Sequence, residues 1–193
     1  EGIASAHDIV RFKHPIAPED VVPDALPRAL WLDEVDGRAL TAYVQDDPAA
    51  LRFTHPGLVK TLALDGSTVT VTWRCRGLAG RRLTTRLNLA MPSCDGFLGR
   101  YVLADGSIPG GFGQPVDLPA ATALTLEDGV LGGDLRLAAS IPAEICGRPQ
   151  QTVSQSEAGF EKIMQCVELS FQWTLPGDQS TLQLQLTIHK SPP

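Results

Sequence analysis

Near the end of the chain stands the run Val167-Glu168-Leu169-Ser170-Phe171-Gln172-Trp173-Thr174-Leu175. Its apolar side chains take every second position, which is the period of a strand with one buried face. With its lead-in the strand spans Ile163–Leu175, a length that favours a large twisted β-sandwich over a small immunoglobulin-like one. Pro176-Gly177-Asp178 then predicts a turn. Because apolar residues alternate again at Leu182, Leu184, Leu186 and Ile188, we expect the last two strands to form a hairpin.

The same period recurs upstream. Val69, Val71 and Trp73 alternate with threonines, and Asp65-Gly66 predicts a hairpin turn that joins them to Leu58–Leu64. Alternation returns at Thr85, Leu87, Leu89 and Met91. Short strands such as Thr122–Leu126 and Asp134–Ser140 lie among further turn signals at Asp95-Gly96, Asp105-Gly106, Asp128-Gly129 and Gly132-Gly133. Many strands with hardly any helical period predict an all-β sandwich.

The first forty residues have a different character. Each proline removes a backbone donor and restricts the residue before it, so a long helix is excluded by Pro15, Pro18, Pro23 and Pro27. We interpret residues 1–38 as a linker or the end of a preceding domain, and residues 39–193 as the β-sandwich domain. The sandwich is therefore expected to carry an irregular N-terminal extension.

Composition excludes several classes of protein. The hydrophobic fraction of 43% and the charged fraction of 20% are those of a globular domain. The net charge of −6 argues against a nucleic-acid partner, and no apolar run reaches the roughly 20 residues needed to span a membrane. A zinc site is unsupported because no Cys-x-x-Cys pair occurs. We expect buried free thiols, and with them a reducing, cytoplasmic location, from Cys75, Cys94, Cys146 and Cys166.

Residues that could carry catalysis or hold a cofactor are sparse. The chain has no Gly-x-Ser-x-Gly elbow. Gly110-Gly111-Phe112-Gly113 is followed by Pro115 and not by a helix, so it does not predict a phosphate site. A calcium loop over the acidic stretch Asp33–Gly37 would place Leu32 where a carboxylate is required. We expect neither a metal nor a cofactor.

The densest polar group lies between Thr152 and Gln165. Its two carboxylates, Glu157 and Glu161, could serve as an acid–base pair on a glycosidic bond, for which their separation would decide the stereochemistry. The alternative, which we weight more heavily, is that these side chains hydrogen-bond a strand-entry loop to a neighbouring surface. Among possible sugar platforms, Trp73 and Trp173 fall on inward strand faces and are expected in the core. Trp31 is expected to face solvent or a neighbouring domain.

The same segment resembles a signature near the end of the C-terminal domain of 4-α-glucanotransferases and α-amylases of glycoside hydrolase family fifty-seven. The family pattern is approximately Thr-x-Ser-x-Ser-Glu-x-Gly-aromatic-Glu, with a Gln four residues later, and this chain keeps every position. Ser5–Lys13 is similar to the segment that leads into that domain. Leu87-Asn88-Leu89 matches a strand motif that usually follows a Glu, where this chain has Arg86. The motif positions carried over are Ser154, Ser156, Glu157, Phe160, Glu161, Gln165 and Asn88.

The resemblance implies a sandwich of the galactose-mutarotase-like or supersandwich type, packed against an upstream catalytic (β/α) barrel of the same polypeptide. In the family that barrel holds the nucleophile and the acid/base, so the resemblance assigns no catalytic residue here. The chain is then an accessory domain of an α-glucan-processing enzyme, with structural, interdomain or glucan contacts at the motif positions and Trp31. Two alternatives stay open: a free-standing carbohydrate-binding module or lectin, and a mutarotase- or lyase-type enzyme that uses Glu157 or Glu161.

Overall fold

A computed structural model describes residues 13–25, 27–94, 98–157 and 159–190, and almost all of its regular structure is strand. The all-β prediction is confirmed. The described helical structure is one short 3-10 turn at Pro18–Val21, and none of it is long and apolar enough to cross a membrane. The strands are β1 Leu30–Val35, β2 Arg38–Ala39, β3 Val44–Asp47, β4 Arg52–His55, β5 Leu58–Asp65, β6 Thr68–Arg76, β7 Arg82–Leu89, β8 Gly99–Val102, β9 Gly110–Gly111, β10 Val116–Asp128, β11 Gly133–Ser156, β12 Gly159–Thr174 and β13 Gln179–Lys190.

The strands form one antiparallel sheet that folds over on itself at β11. Residues 133–139 of β11 pair with β13, whereas residues 144–156 pair with β12. The front layer therefore runs β2-β1-β7-β12-β11, and the back layer runs β11-β13-β6-β5-β4-β3. Pro142 of β11 lies between the two pairings, and Pro119 of β10 lies where the β10–β11 register shifts. Proline cannot donate to a ladder, so both prolines fall where regular pairing is interrupted.

The two layers pack face to face around an aromatic row. Trp73 on β6 and Trp173 on β12 are buried, and their ring centroids lie 5.9 Å apart across the interface. The apolar faces that the sequence predicts to be inward contribute side chains to one continuous core, although Thr72 and Ser170 on the alternate faces are buried as well. Burying a large apolar side chain contributes roughly 1.5–3 kcal/mol, so this interface is the main source of stability.

One predicted hairpin is confirmed and another is wrong. Gly66 has a φ of 55°, and the turn there joins β5 to β6 with Asp65 opposite Thr68. By contrast, within Gly159–Lys190, all of which the structure describes, β12 pairs with β7 and β11 while β13 pairs with β11 and β6. The turn at 176–178 carries the chain from the front layer to the back layer. Alternation of apolar residues determines which face of a strand is buried. It does not determine whether the next strand pairs with it in the same layer or packs against it from the opposite layer.

The ordered sheet begins at Leu30, inside the stretch that the sequence analysis assigned to the linker 1–38. β1 pairs with β7 and turns into β2 through Asp36 and Gly37, whose φ values of 49° and 75° suit a tight hairpin. The strand escapes pattern recognition because Asp33, one of its inward residues, is charged. Residues 13–25 and 27–29 form the irregular extension, and the division into two domains stays a prediction.

Candidate functional site

The signature segment forms a β-hairpin, so the predicted strand-entry loop is wrong. Thr152–Ser156 end β11, Gly159–Gln165 begin β12, and Ser156 pairs with Gly159 across the turn. Gly159 is buried with a φ of 113°, a conformation that favours glycine. The polar composition of the segment suggested a loop, but its side chains alternate across a ladder whose backbone is fully extended. Ala158 lies outside the described residues.

The two carboxylates of this signature hairpin (residues 152–165) have different surroundings. Glu161 is directly opposite Ser154 and forms an ion pair with Lys13. Hydrogen bonds from Lys13 and from the Ser156 hydroxyl hold the pKa of Glu161 below its ordinary value, so it is a carboxylate at neutral pH. Glu157 is exposed at the turn. The hairpin therefore holds Glu161 as a structural anion and leaves Glu157 in solvent.

We call residues 13–25 and 27–29 the entry segment, and the first part of this segment contacts the hairpin. The backbone N–H of Lys13 donates to the carbonyl of Phe160 at 2.8 Å, and the backbone N–H of Lys162 donates to Nδ1 of His14 at 3.1 Å. Further along, Asp20 forms a 2.6 Å ion pair with Lys162. The motif positions around Phe160 thus fix the path of the chain that enters the sandwich.

A chain of charges fastens the far end of the entry segment. Arg28 pairs with Asp24 at 2.6 Å and with Glu168 at 3.0 Å. Glu168 also accepts from Arg86, which in turn pairs with Glu34 at 2.8 Å. Glu168 is therefore the centre of this charge chain, and Arg86 joins it to Glu34 on β1.

Asn88 acts on the same part of the molecule. The side-chain N–H of Asn88 donates to the carbonyl of Ala29 at 3.1 Å, and Asn88 pairs with Glu168 across the β7–β12 ladder. Asn88 and the signature hairpin consequently meet the two ends of one segment. The structure brings Asn88, Phe160 and Glu161 into a common role of holding that segment.

Trp31 lies apart from these residues. It sits at a bulge in β1 with a φ of 62°, and its ring packs on Trp73 at a centroid distance of 6.4 Å. Its carbonyl accepts from the Lys60 ammonium at 2.8 Å. Because its ring is half-buried against the core, Trp31 offers less of a free platform than the sequence suggests.

Sequence reasoning missed a buried polar cluster next to Trp31. Asp33 accepts hydrogen bonds from Lys60 at 2.7 Å, from the Tyr43 hydroxyl at 2.6 Å and from the Trp73 indole at 3.0 Å. Burial and the Asp33 charge raise the pKa of Tyr43 above its ordinary value and that of Cys75 to about 11. Lys60 belongs to the back layer and Asp33 to the front layer, so the cluster joins the layers. No sequence motif marks it.

A polar groove of about 680 Å³ lies between the entry segment and the open edge of β11. The edge is open because pairing with β10 ends at Gly147. Pro149 and the residues after it form the floor, and the 3-10 turn forms the opposite wall. The lining side chains are those of Glu19, Asp20, Val21, Val22, Pro23, Asp24, Arg28, Pro149, Gln150, Gln151, Thr152, Val153 and Gln165.

In the described part of the chain, no three His, Cys, Asp or Glu side chains are placed to hold a metal ion. The thiols of Cys75, Cys146 and Cys166 are free; Cys75, Cys94 and Cys166 are buried and Cys146 is half-buried. Most of the motif positions lie on the signature hairpin, so the hairpin and the groove beside it are the candidate functional surfaces.

Comparison with known proteins relates the fold to one family. The family described as alpha-amylase/4-alpha-glucanotransferase, C-terminal, matches residues 44–188. The crystal structure of 4-α-glucanotransferase from Thermococcus litoralis is similar, with a TM-score of 0.66 and 16% sequence identity over 98% of this chain and 32% of that chain. This chain thus spans about a third of that protein.

A weaker likeness is to the heparan sulfate lyase HepC mutant from Pedobacter heparinus, with a TM-score of 0.46 and 9% identity over 84% of this chain and 24% of that one. No match was found among curated protein sequences.

Proposed function

The chain belongs to the alpha-amylase/4-alpha-glucanotransferase C-terminal family, and from this premise we propose that it is the non-catalytic accessory domain of a larger α-glucan-processing enzyme. Its role is to support a catalytic (β/α) barrel of the same polypeptide. The parent then hydrolyses or transfers α-glucan chains, and the sandwich contributes stability and position to that reaction.

The observation that carries the proposal is the use made of the signature residues. The Glu161 carboxylate accepts hydrogen bonds from the side chains of Lys13 and Ser156, and the Phe160 carbonyl accepts one from the backbone N–H of Lys13. Retaining glycosidases place two carboxyl groups about 5–5.5 Å apart with the reacting bond between them. Glu161 is instead committed to a lysine of its own chain. A hairpin that anchors the incoming polypeptide fits a joint between domains.

The aromatic residues point the same way. A free-standing glycan-binding module needs exposed aromatic platforms, whereas Trp73 and Trp173 are buried in the layer interface and Trp31 packs on Trp73. The buried free thiols fit a reducing, cytoplasmic setting. The accessory role is therefore favoured over a lectin.

The test compares the chain with and without the coding region upstream of Glu1. Each protein is incubated with maltoheptaose and the products are separated by chromatography. We expect the 193-residue chain to leave maltoheptaose unchanged and the longer protein to convert it. Conversion by the chain alone that disappears in Glu157→Gln or Glu161→Gln would overturn the proposal and support an enzyme of mutarotase or lyase type.

A matched pair of variants then probes the joint in the longer protein. Glu161→Gln removes the anion that binds Lys13, whereas Gln185→Ala changes an exposed residue on the outer face of β13. We expect the first to lower the midpoint of thermal inactivation and the second to leave it unchanged. Equal midpoints for both variants would contradict a positioning role for the signature hairpin.

A further inference from the structure

The inner face of the back layer extends beyond the front layer at one end of the sandwich. Along β13 the inward side chains are buried from Leu182 to Leu186, which is 8% exposed, but the next inward residue, Ile188, is 52% exposed. Along β5 the same change occurs between Leu58, at 2%, and Leu64, at 72%. The apolar surface that forms the core elsewhere is therefore open to solvent here.

The exposed positions are neighbours on one surface. Leu64 pairs with Val69 of β6, and Val69 pairs with Leu186 of β13. The backbone N–H of Ile188 donates at 3.0 Å to the carbonyl of Ser67, in the turn that joins β5 to β6. Because residues paired across a ladder point to the same face, the side chains of Leu64, Val69 and Ile188 form one aliphatic patch, which we call the open end.

The chemistry of the open end is that of a docking surface. Its aliphatic side chains offer no hydrogen-bonding group to a sugar or a phosphate, whereas contiguous exposed apolar surface is typical of contacts between proteins or domains. Asp65 and Lys190, at the margin of the patch, are charged and exposed, so an apolar centre has a polar rim. We infer that the open end docks the upstream catalytic region of the same polypeptide, an occupant that rests on the proposed function.

The entry segment meets the sandwich beyond the end of β7. That strand ends at Leu89, opposite Val167 of β12, and the signature hairpin continues β11 and β12 past this point. The backbone N–H of Lys13 donates to the carbonyl of Phe160 in the hairpin at 2.8 Å. The polypeptide that leads into the domain therefore makes its first described contacts at this end of the front layer.

The open end lies at the same end of the back layer. Ser93, which follows β7, donates its backbone N–H and its hydroxyl to the Asp128 carboxylate at 2.9 and 2.6 Å. Asp128 pairs with Gly133, and Gly133 pairs with Lys190 at the end of β13. The end of β7 is thus close to the end of β13. A region that precedes the entry segment is consequently placed near the open end.

The size of the open end suits a covalently linked partner. The exposed side chains of the β10–β11 turn, Val130 and Leu131, extend the apolar surface at this end. A stable complex of separate proteins usually buries roughly 1,200–2,000 Å² in total, which these few side chains do not supply. A region joined by a short linker has an effective concentration on the order of millimolar, so a smaller apolar contact is sufficient.

Thiol labelling of the 193-residue chain and of the longer protein tests this docking surface. Leu64→Cys and Ile188→Cys each place a thiol on the open end, and Val44→Cys is the matched control at a 64% exposed position on β3. Labelling by N-ethylmaleimide is followed by peptide mass spectrometry, which separates these thiols from the natural cysteines. We expect the two open-end thiols to react about tenfold more slowly in the longer protein than in the 193-residue chain, because labelling then requires the interface to open. The control should react equally in both, and tryptophan fluorescence verifies that each variant is folded.

An unchanged rate at either open-end position would overturn the inference, and so would an equal slowing of the control. If the 193-residue chain forms dimers in sedimentation and protects these thiols by itself, the occupant is a second copy and the inference is wrong. The result is separable from that of the proposed function. A longer protein that converts maltoheptaose but leaves the open-end thiols reactive refutes the docking surface alone. One that protects these thiols but leaves maltoheptaose unchanged refutes the assigned activity alone.

Discussion

At the scale of single residues, two buried carboxylates show how this sandwich holds polar groups inside. Asp33 joins the layers through Lys60, Tyr43 and Trp73, and Asp128 closes a turn through Ser93 and the residues after it. Both side chains are almost completely buried. A buried charge is stable only where every lone pair is matched, so each site is sensitive to the loss of one partner.

Replacing Asp33 tests the joint between the layers. Asp33→Ala leaves the Lys60 ammonium buried without its counter-charge, and we expect it to lower the free energy of unfolding by about 3–5 kcal/mol. The double variant Asp33→Leu/Lys60→Met removes both charges and is expected to cost clearly less, because no unpaired ion remains. Urea unfolding measures both values. A double variant as unstable as the single one would show that the pair itself, and not the orphaned charge, controls stability.

Asp128 makes stability depend on acid. Burial alone would raise its pKa, but hydrogen bonds from Ser93, Leu131 and Val130 outweigh burial and hold the pKa below the ordinary 3.8. A carboxyl with a lowered folded-state pKa contributes stability that is fully present above the unfolded-state value and is lost as the pH falls through the folded-state value. We therefore expect the free energy of unfolding to decline below about pH 3.8.

The Asp128→Asn variant is the control for that decline. Asparagine keeps one acceptor oxygen but does not titrate, so its unfolding free energy should be lower at pH 7 and flatter in acid than that of the natural chain. Urea unfolding between pH 2.5 and 7 measures the two slopes. Parallel curves for the two proteins would assign the acid sensitivity to other carboxyls.

At the scale of elements, the entry segment and the signature hairpin depend on each other. The sequence motif includes three residues that contact that segment, Asn88, Phe160 and Glu161. It did not reveal how, because a run rich in Ser, Gln and Glu is typical of loops, and only pairing with a distant strand makes it a ladder. The Arg86 partners were likewise beyond prediction, since Glu34 and Glu168 come from strands far apart in the chain.

Reversing the charge at position 86 tests the charge chain. Arg86→Glu would place a third carboxylate between Glu34 and Glu168, and we expect a loss of about 1–2 kcal/mol after allowance for the partly exposed position. Displacement of Glu168 by the new carboxylate should also take this acceptor away from Arg28 and loosen the entry segment. Urea unfolding measures the first effect, and faster limited proteolysis within residues 13–29 measures the second.

The matched control for this variant is Arg136→Glu. Arg136 is an exposed arginine of β11 that takes part in no ion pair among the described residues. It carries the same charge reversal without a cluster to disturb, and its effect should stay within about 0.5 kcal/mol. If Arg86→Glu is cut no faster than Arg136→Glu, the charge chain does not fasten the entry segment.

At the scale of the whole molecule, β11 determines the architecture. The alternation of apolar residues predicted one buried face for Val69–Trp73 and one for Val167–Leu175. The structure places each of these faces in the core. The order of strands could not be read from the same pattern, because it depends on where one long strand changes partner. Pro142 marks that place only once the ladders on either side of it are known. Local alternation thus predicts which face of a strand is buried, whereas long-range pairing decides which strands lie beside it.

Because β11 belongs to both layers, neither can lose its pairing without disturbing the other, and we expect one cooperative unfolding transition. Cys75 on β6 reports on the back layer and Cys166 on β12 reports on the front layer; both thiols are buried. In variants that retain one of these cysteines and carry serine at the other three positions, thiol labelling should appear at the same urea concentration. That midpoint should coincide with the change in tryptophan fluorescence, since Trp73 and Trp173 meet at the interface. Earlier labelling of Cys75 than of Cys166, with fluorescence following only one of them, would mean that the back layer opens alone and that the shared strand does not couple the two.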